Sequence, residues 1–572
     1  MFTIFSYRIS EKQILIAILL LGALLRFWGL GSAEIFHDEG LYAFRSIGYF
    51  DYIQNDAQTT PVQWFKGQPN LPWWTPLSFH DHPPLFFLIQ HLFFNLFGDS
   101  LLVARLPSAL AGIASIYLVY LIFRRSDLVR RILTRSDLQK LERGHVGLLA
   151  ALLLAVNHIH IWISRSSFLE SLLFFLILLN IYYFLNFLTN QKTWKMFGIT
   201  LGLAFLTKYT SFFLVPVYFF YLIFISIFGT SDFRIFKNWR LYAAFGLTVL
   251  LFSPVLIYNF YLWQTVGHFD LQFAYLFRQA TPEWQASLGK IQEPFFNILE
   301  NLSSMYSISF LLAAIFGIVC SIGVFIKNFR ANLRFNSNSS AIVFGWLTLI
   351  FVTLTLIPTG SAFRFITLYL FPFLFLTALA FLVLRKKLAP QLFKILFVIF
   401  ILYELYFSID GIFLTFPDFG VAKLDAYLEE SIGGQRSLRL PQSPNPHLND
   451  IIKRYGRRRP AADESLVIVY DENIALSSKL WLFTRRLYYQ GILAVTAGQF
   501  KTLLQNQGLE AFDRSRVYFV KATENTSLNP KVAIKDAEEL ENFLMREFNL
   551  RLEKVISNRD GLPMFLIYKF LL

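Results

Sequence analysis

The chain has 572 residues, of which 55% are apolar and only 16% charged, with a mean hydropathy of +0.48 and a formal net charge of +14. Soluble globular chains carry about 25% charged residues, and the apolar residues here run in stretches of about 20, the length that crosses a bilayer core as helix, so an ordinary soluble domain is excluded. The lysines and arginines sit in connections between apolar runs and not in patches interleaved with aromatics, which excludes nucleic acid as a partner and leaves membrane lipid.

From the N-terminus, Arg8 and Lys12 precede the first apolar run, and "GSA" at 31–33 is too weak a cleavage signal to make that run anything but a retained anchor. Candidate spans cover roughly 13–31, 101–123, 146–162, 164–187, 195–209, 211–229, 240–262, 303–326, 341–358, 365–384 and 391–411. The stretch "PPLFFLIQHLFFNLFG" (83–98) is marginal in length and carries Gln90, His91 and Asn95. Loop charge decides its place. The connection 124–145 holds seven Lys/Arg, and 192–195, 234–240, 327–334 and 385–387 are also basic, whereas 32–100 has seven Asp/Glu against Arg45 and Lys66. These sets separate onto opposite sides only if 83–98 does not span, so it is expected to lie along the interface as an amphipathic helix.

The expected fold class is therefore a polytopic α-helical membrane protein with about 11–13 spans (eleven by this count), N-terminus inside and C-terminus outside. Residues 1–412 form the membrane part, with 32–100 as its first external loop. After 412 the character changes. "GGQRSLRLPQSPNPHLND" (433–450) reads as a loop, followed by strand-like "SLVIVYD" (465–471), helical "LSSKLWLFTRRLYY" (476–489), strand-like "RVYFVKA" (516–522), the charged helix "AEELENFLMREF" (537–548), and strand-like "RLEKVIS" and "MFLIYKF". Residues 413–572 are expected to fold as a small extracytoplasmic α/β domain. The single cysteine, Cys320, rules out an intrachain disulfide and a thiolate metal cluster.

This topology gathers ionisable residues at one depth on the outer side, where they are costly and mark function. Asp38 and Glu39 follow the first span, and His80, Asp81 and His82 precede Pro83-Pro84 in the same loop. Arg105 opens the second span, Arg165 and Glu170 sit at the outer end of the fourth, Lys208 ends the fifth and Arg364 opens the tenth. Each also has a plainer reading: a solvated acid pair, snorkelling anchors for Arg105, Arg364 and Lys208, and an ion pair between Arg165 and Glu170. His80 and His82 read either as turn histidines or, with Asp81, as ligands of a metal or substrate. Glu404, deep in the last span, requires a packing partner.

"HDEGLYAFRSIGYF" after the first span, "HDHPPLFFLIQHLFFNLFGDSLLVARLPSALAGIASIYLVYLIFRR", "HIWISRSSFLESLLFF", "GLAFLTKYTSFFLVP" and "RFITLYLFPFLFLTA" together resemble the dolichyl-phosphate-mannose-protein mannosyltransferase superfamily, which includes the lipid A aminoarabinose transferases. The resemblance covers roughly residues 10–410. It implies the GT-C fold, a long first external loop with interfacial helices, and transfer of a sugar from a polyprenyl-phosphate donor on the extracytoplasmic side of the cytoplasmic membrane. The family's acidic pair matches Asp38 and Glu39, the first acid being the base, and its second acidic site matches Glu170, where some relatives have Asp. The aminoarabinose branch often has lysine before the Pro-Pro, where this chain has His82, so phosphate contacts of that branch do not carry over.

The chemistry is consistent with the residue types. An acceptor hydroxyl needs a carboxylate to take its proton, and two adjacent acids raise one pKa toward a useful base. The leaving polyprenyl phosphate needs its charge met by cations, here Arg105, Lys208, Arg364 and Arg165, or by a divalent metal, the one cofactor left open. The acceptor is a lipid, a glycan or a protein. The competing readings are a lipid-linked-sugar flippase or transporter, using the same charged cavity, and a non-catalytic scaffold in an envelope-glycan complex.

Overall fold

The computed structural model describes residues 3–4, 7–8, 10–35, 38–52, 59–125, 144–228, 233–279, 294–331, 337–359, 362–432, 442–443, 445–455, 465–508, 512, 515–526, 535–548 and 550–572. Most of the basic connection 124–145 and the first part of the 433–450 loop lie outside these residues.

Helix α1 (Glu11–Phe27) starts at a capping box, Ser10 and Gln13 each closing on the other's backbone N–H. A short helix, α2 (Glu39–Gly48), begins at Asp38, and α3 (Leu85–Phe97) follows within the first loop. The membrane helices are then α4 (Leu101–Arg125), α5 (Gly144–Ala155), α6 (His158–Arg165), α7 (Leu169–Thr189), α8 (Trp194–Thr207), α9 (Leu214–Phe228), α10 (Trp239–Val266), α11 (Ile308–Ala331), α12 (Ser337–Thr359), α13 (Leu370–Lys387) and α14 (Pro390–Ile409). Among the described residues eight helical segments are long and apolar enough to cross a membrane, and α5 with α6 makes a ninth bent by 61°. The other two expected spans are present as the shorter α1 and α8, of 17 and 14 residues. α3 has 13 residues, about 20 Å of helix against a core of about 30 Å, too short to cross. It buries Phe86, Phe87, Gln90 and Phe94 and exposes Leu88, Leu92 and Leu96, as an interfacial helix does.

The break between α5 and α6 frees backbone carbonyls that water cannot reach, and each has a protein donor. Asn157 stops one helix and caps the next, its side chain accepting the His160 N–H. Arg26, fully buried in the last turn of α1, donates to the Leu154 and Ala155 carbonyls, and Ser408 donates to Val156. Nothing in the α1 run marked Arg26 as different from a snorkelling end residue. Glu404 has its partners in Ser307 and Ser309, which pin the otherwise lipid-facing α14 to the start of α11.

Beyond the bundle, α15 (Val421–Ile432) leads into a five-stranded sheet of β1 (Ser465–Tyr470), β2 (Leu493–Thr496), β3 (Ser515–Ala522), β4 (Arg551–Ser557) and β5 (Pro563–Leu571), with helical segments α16 (Leu476–Lys479), α17 (Ala497–Gln507) and α18 (Asp536–Glu547). The order is β2-β1-β3-β5-β4; the first three strands are parallel, and β5 is antiparallel to both its neighbours. Side chains alternate between the faces. Val467, Val469, Val517 and Phe519 pack under α17 and α18 with Phe500, Leu540 and Leu544. Leu466, Ile468, Tyr518 and Val520 face the other way, into a core shared with Phe44 and Ile47 of α2 and with Leu101 and Ala104 of α4. The α/β unit is thus packed onto the first loop. The strand β2 and helix α17 were not among the elements expected from sequence, and the helix Pro446–Tyr455 begins inside the 433–450 stretch expected as loop.

Candidate active site

The first turn of α2 sends three consecutive residues in three directions. Successive helical residues are about 100° apart, so Asp38, Glu39 and Gly40 cannot share a face. Glu39 points into protein, with 1% of its side chain exposed. It accepts from Arg105 Nε at 2.6 Å, from Arg105 Nη2 at 2.8 Å and from the Ser167 N–H at 2.7 Å. Gly40 lies against the C-terminal unit: a Cβ there would sit 2.4 Å from the Ser477 carbonyl oxygen, so only glycine allows the approach. One face further along, Gly48 meets the Tyr489 hydroxyl in the same way. Asp38 alone of the three turns outward, with 43% of its side chain exposed.

Asp38 Oδ2 accepts from Arg364 Nη1 at 2.5 Å. Arg364 Nε lies 3.3 Å from Glu170 Oε1, and the same Glu170 oxygen accepts from Lys208 Nζ at 2.5 Å. The result is a row of alternating charge, Asp38, Arg364, Glu170, Lys208, drawn from the first loop and from the ends of three separate helical segments. Aromatic rings line the two cations: Tyr42, Phe168 and Phe365 surround Arg364 at 5.3–5.6 Å, and the Lys208 ammonium stands 3.8 Å from the Phe365 ring centre. A narrow pocket lined by Glu170, Lys208, Thr210, Phe365 and Thr367 opens beside the row.

Four of the ten sequence candidates therefore meet, and the others do something else. Arg105, read as a phosphate ligand, has five N–H donors, and all five go to protein: Glu39 twice, and the carbonyls of Leu30, Ala33 and Glu34. It is a clamp that holds the chain between α1 and α2. Arg165, also read as a phosphate ligand, donates to the carbonyls of Leu25, Arg26 and Trp28 and caps the end of α1. Glu170, whose plainer reading was an ion pair with Arg165, pairs instead with Lys208. Glu39 is buried, paired with Arg105, and does not line the pocket.

The His80–Asp81–His82 segment forms a buried network instead of a metal shell. Asp81 Oδ1 takes Arg45 Nη1 at 2.8 Å, and Oδ2 lies 3.1 Å from His82 Nδ1. His80 Nδ1 faces both oxygens of Asp51 at 3.2 Å, and its backbone N–H donates to the same carboxylate. No group of three His, Cys, Asp or Glu side chains is arranged for a metal ion among the described residues. Burial pushes the Asp81 carboxyl up, and Arg45, His82 and His80 outweigh that, holding it well below the usual carboxylate range. Tyr42, Arg45 and Asp51 were missed in the sequence. The signal for two of them was helical spacing: Tyr42 stands one turn from Asp38, and Arg45 two turns.

The dolichyl-phosphate-mannose-protein mannosyltransferase family model matches residues 81–134 and 137–258, a region that contains Arg105, Arg165, Glu170 and Lys208. Among solved structures, ArnT from Cupriavidus metallidurans in the apo state aligns over 98% of this chain and 98% of its own, with a TM-score of 0.50 at 12% identity. The same protein bound to undecaprenyl phosphate aligns over the same shares with a TM-score of 0.51 at 12% identity. The chain shares the GT-C fold of these structures. The apo oligosaccharyltransferase of Archaeoglobus fulgidus also shares the fold, with a TM-score of 0.50 at 14% identity over 90% of this chain and 69% of its own. No curated protein matches by sequence. With this fold and eight helical segments long and apolar enough to cross a membrane among the described residues, it is an integral membrane protein.

Proposed function

We propose that this protein is a membrane glycosyltransferase that moves a sugar from a polyprenyl-phosphate donor to an acceptor on the extracytoplasmic face of the cytoplasmic membrane. The observation that carries the reading is the charge row itself: one half-exposed carboxylate, Asp38, beside two cations, the partly buried Arg364 and the buried Lys208, at the level of the helix ends. The family match and the undecaprenyl phosphate held by the Cupriavidus metallidurans ArnT structure support the donor class.

In this reading Asp38 takes the proton of an acceptor hydroxyl as its oxygen bonds to the anomeric carbon, inverting that centre. The bond from that carbon to the phosphate oxygen breaks, and its electron pair leaves on the polyprenyl phosphate. Arg364 and Lys208 meet the growing phosphate charge, Arg364 with a guanidinium fork suited to two oxygens. Glu170 serves as the acid that keeps both cations in place before the donor arrives. Two charges held ready in a poorly hydrated site stabilise a developing anion without reorganising at the moment of reaction.

The test is turnover, in detergent, of a panel of polyprenyl-phosphate pentoses and hexoses by the full chain and by Asp38→Asn. Losing the base while keeping its size should slow transfer by about 10²–10⁴-fold. Binding of undecaprenyl phosphate should persist. Wild-type turnover by Asp38→Asn would remove the catalytic reading and favour a flippase or a scaffold.

A further inference from the structure

We infer that the His80–Asp81–His82 segment is a positioning device that acts through Tyr42 on Arg364, the cation assigned above to the donor phosphate. The inference rests on that assignment. Tyr42 lies on α2 one turn beyond Asp38, its backbone N–H donating to the Asp38 carbonyl at 2.9 Å. Its ring stands under the Arg364 guanidinium, 5.6 Å from centre to carbon. A ring in that place does its work only if it is held, and Tyr42 is held at both ends: its face against Phe87 and Phe168, its hydroxyl 3.3 Å from His82 Nε2.

The rest of the segment holds His82. Its other nitrogen, Nδ1, stands 3.1 Å from Asp81 Oδ2, an ion-pair distance that ties the ring to the carboxylate while Nε2 faces the Tyr42 hydroxyl. Asp81 in turn is anchored by Arg45, which is fully buried and also faces Asp51 at 3.4 Å. The line Arg45, Asp81, His82, Tyr42, Arg364 is continuous, and every member before Arg364 is buried. None of the first four reaches the pocket beside Glu170 and Lys208. Their common output is the place of one aromatic ring, and through it the orientation of one guanidinium. This gives a role to a motif that neither a metal site nor the charge row accounts for.

The experiment measures binding of undecaprenyl phosphate to the full chain in detergent, alongside donor turnover. Tyr42→Leu removes the ring and should weaken binding about five- to thirtyfold, the worth of a desolvated cation–π contact. Tyr42→Phe keeps the ring and the volume but frees it from His82; the cost should be about two- to tenfold, that of one buried hydrogen bond, and should appear in donor KM before kcat. His82→Ala should cost the same, and the double variant no more than either single one, because both cut the same link. His82→Gln, which restores a hydrogen-bond partner, should recover most of the loss. Additive effects of Tyr42→Phe and His82→Ala, or wild-type binding by Tyr42→Leu while Arg364→Ala binds poorly, would overturn the inference and leave the assignment of Arg364 standing. Wild-type binding by both Arg364→Ala and Lys208→Ala would instead overturn that assignment.

Discussion

Asp38 and Glu39 differ by one methylene, and what separates them is a rotation of about 100° at the start of a helix. One carboxylate takes two arginine donors and a backbone N–H in a dry place; the other is half-exposed and meets Arg364. Removing one member of a buried pair leaves the other charged and unpaired, at a cost of about 3–5 kcal/mol. Glu39→Gln is therefore expected to act on stability: its thermal unfolding should drop by several degrees, while the fraction that stays folded binds undecaprenyl phosphate as the native chain does. A Glu39→Gln protein that unfolds normally but no longer turns over donor would return Glu39 to the chemistry. The adjacency of the two acids was plain in the sequence. Their different surroundings were not, because they depend on which of them Arg105 reaches from 66 positions further along the chain. Arg105 and Arg165 were misread for the same reason. A guanidinium near a helix end looks the same in sequence whether its donors go to a phosphate or to carbonyls of a neighbouring chain turn.

At the scale of elements, the first loop and α15 meet at Glu34. This side chain is buried, its Oε1 accepting the Ile35 N–H at 2.9 Å and its Oε2 the Val421 N–H at 3.1 Å, so it holds the start of α15 to the chain just ahead of Asp38. Burial, with Asp418 beside it, pushes its carboxyl up to about 7, although the backbone N–H groups of Ile35 and Ala422 and the Arg105 charge oppose that. A folded value above the unfolded one means that the native junction keeps a proton the unfolded chain would release. The contribution of this group is then full at acid pH and declines as pH rises through about 7. Between pH 6 and pH 8 the midpoint of thermal unfolding should fall, and Glu34→Gln, which cannot ionise, should flatten that fall; equal slopes for the two proteins would exclude the junction as its source. Such a contact between Glu34 and Val421, 387 positions apart, has no trace in local pattern. What local pattern does carry is the period of each element. All eleven expected spans have a helix, and the four strand-like runs of the C-terminal unit are strands, since side-chain alternation and apolar length are set residue by residue. The 61° break inside the 146–162 run was invisible because the arginine and serine that satisfy it come from α1 and α14.

For the whole molecule, the membrane decides what can be on which side, and the structure links one choice of side to everything else. The charge row joins the first loop to the starts of α7 and α13 and the end of α8, so Asp38, Glu170, Lys208 and Arg364 lie on one side together. The C-terminal unit shares its core with the same loop, so it lies on that side too. The other ends of these helices carry the basic turns, 192–195 between α7 and α8 and Arg385, Lys386 and Lys387 at the end of α13. Positive connections favour the cytoplasmic side during insertion, so the row and the α/β unit are expected outside. Two exposed positions test the arrangement: Asn190, in the turn after α7, and Gln505, on α17. In a background of Cys320→Ser, a membrane-impermeant maleimide added to intact cells should label Gln505→Cys and spare Asn190→Cys until the membrane is permeabilised. The reverse pattern would place the row inside, where a polyprenyl-phosphate sugar facing outward could not reach it. Because the four charged residues are tied to one another in space, no outcome can split them: the labelling of two single cysteines assigns the side of the entire site.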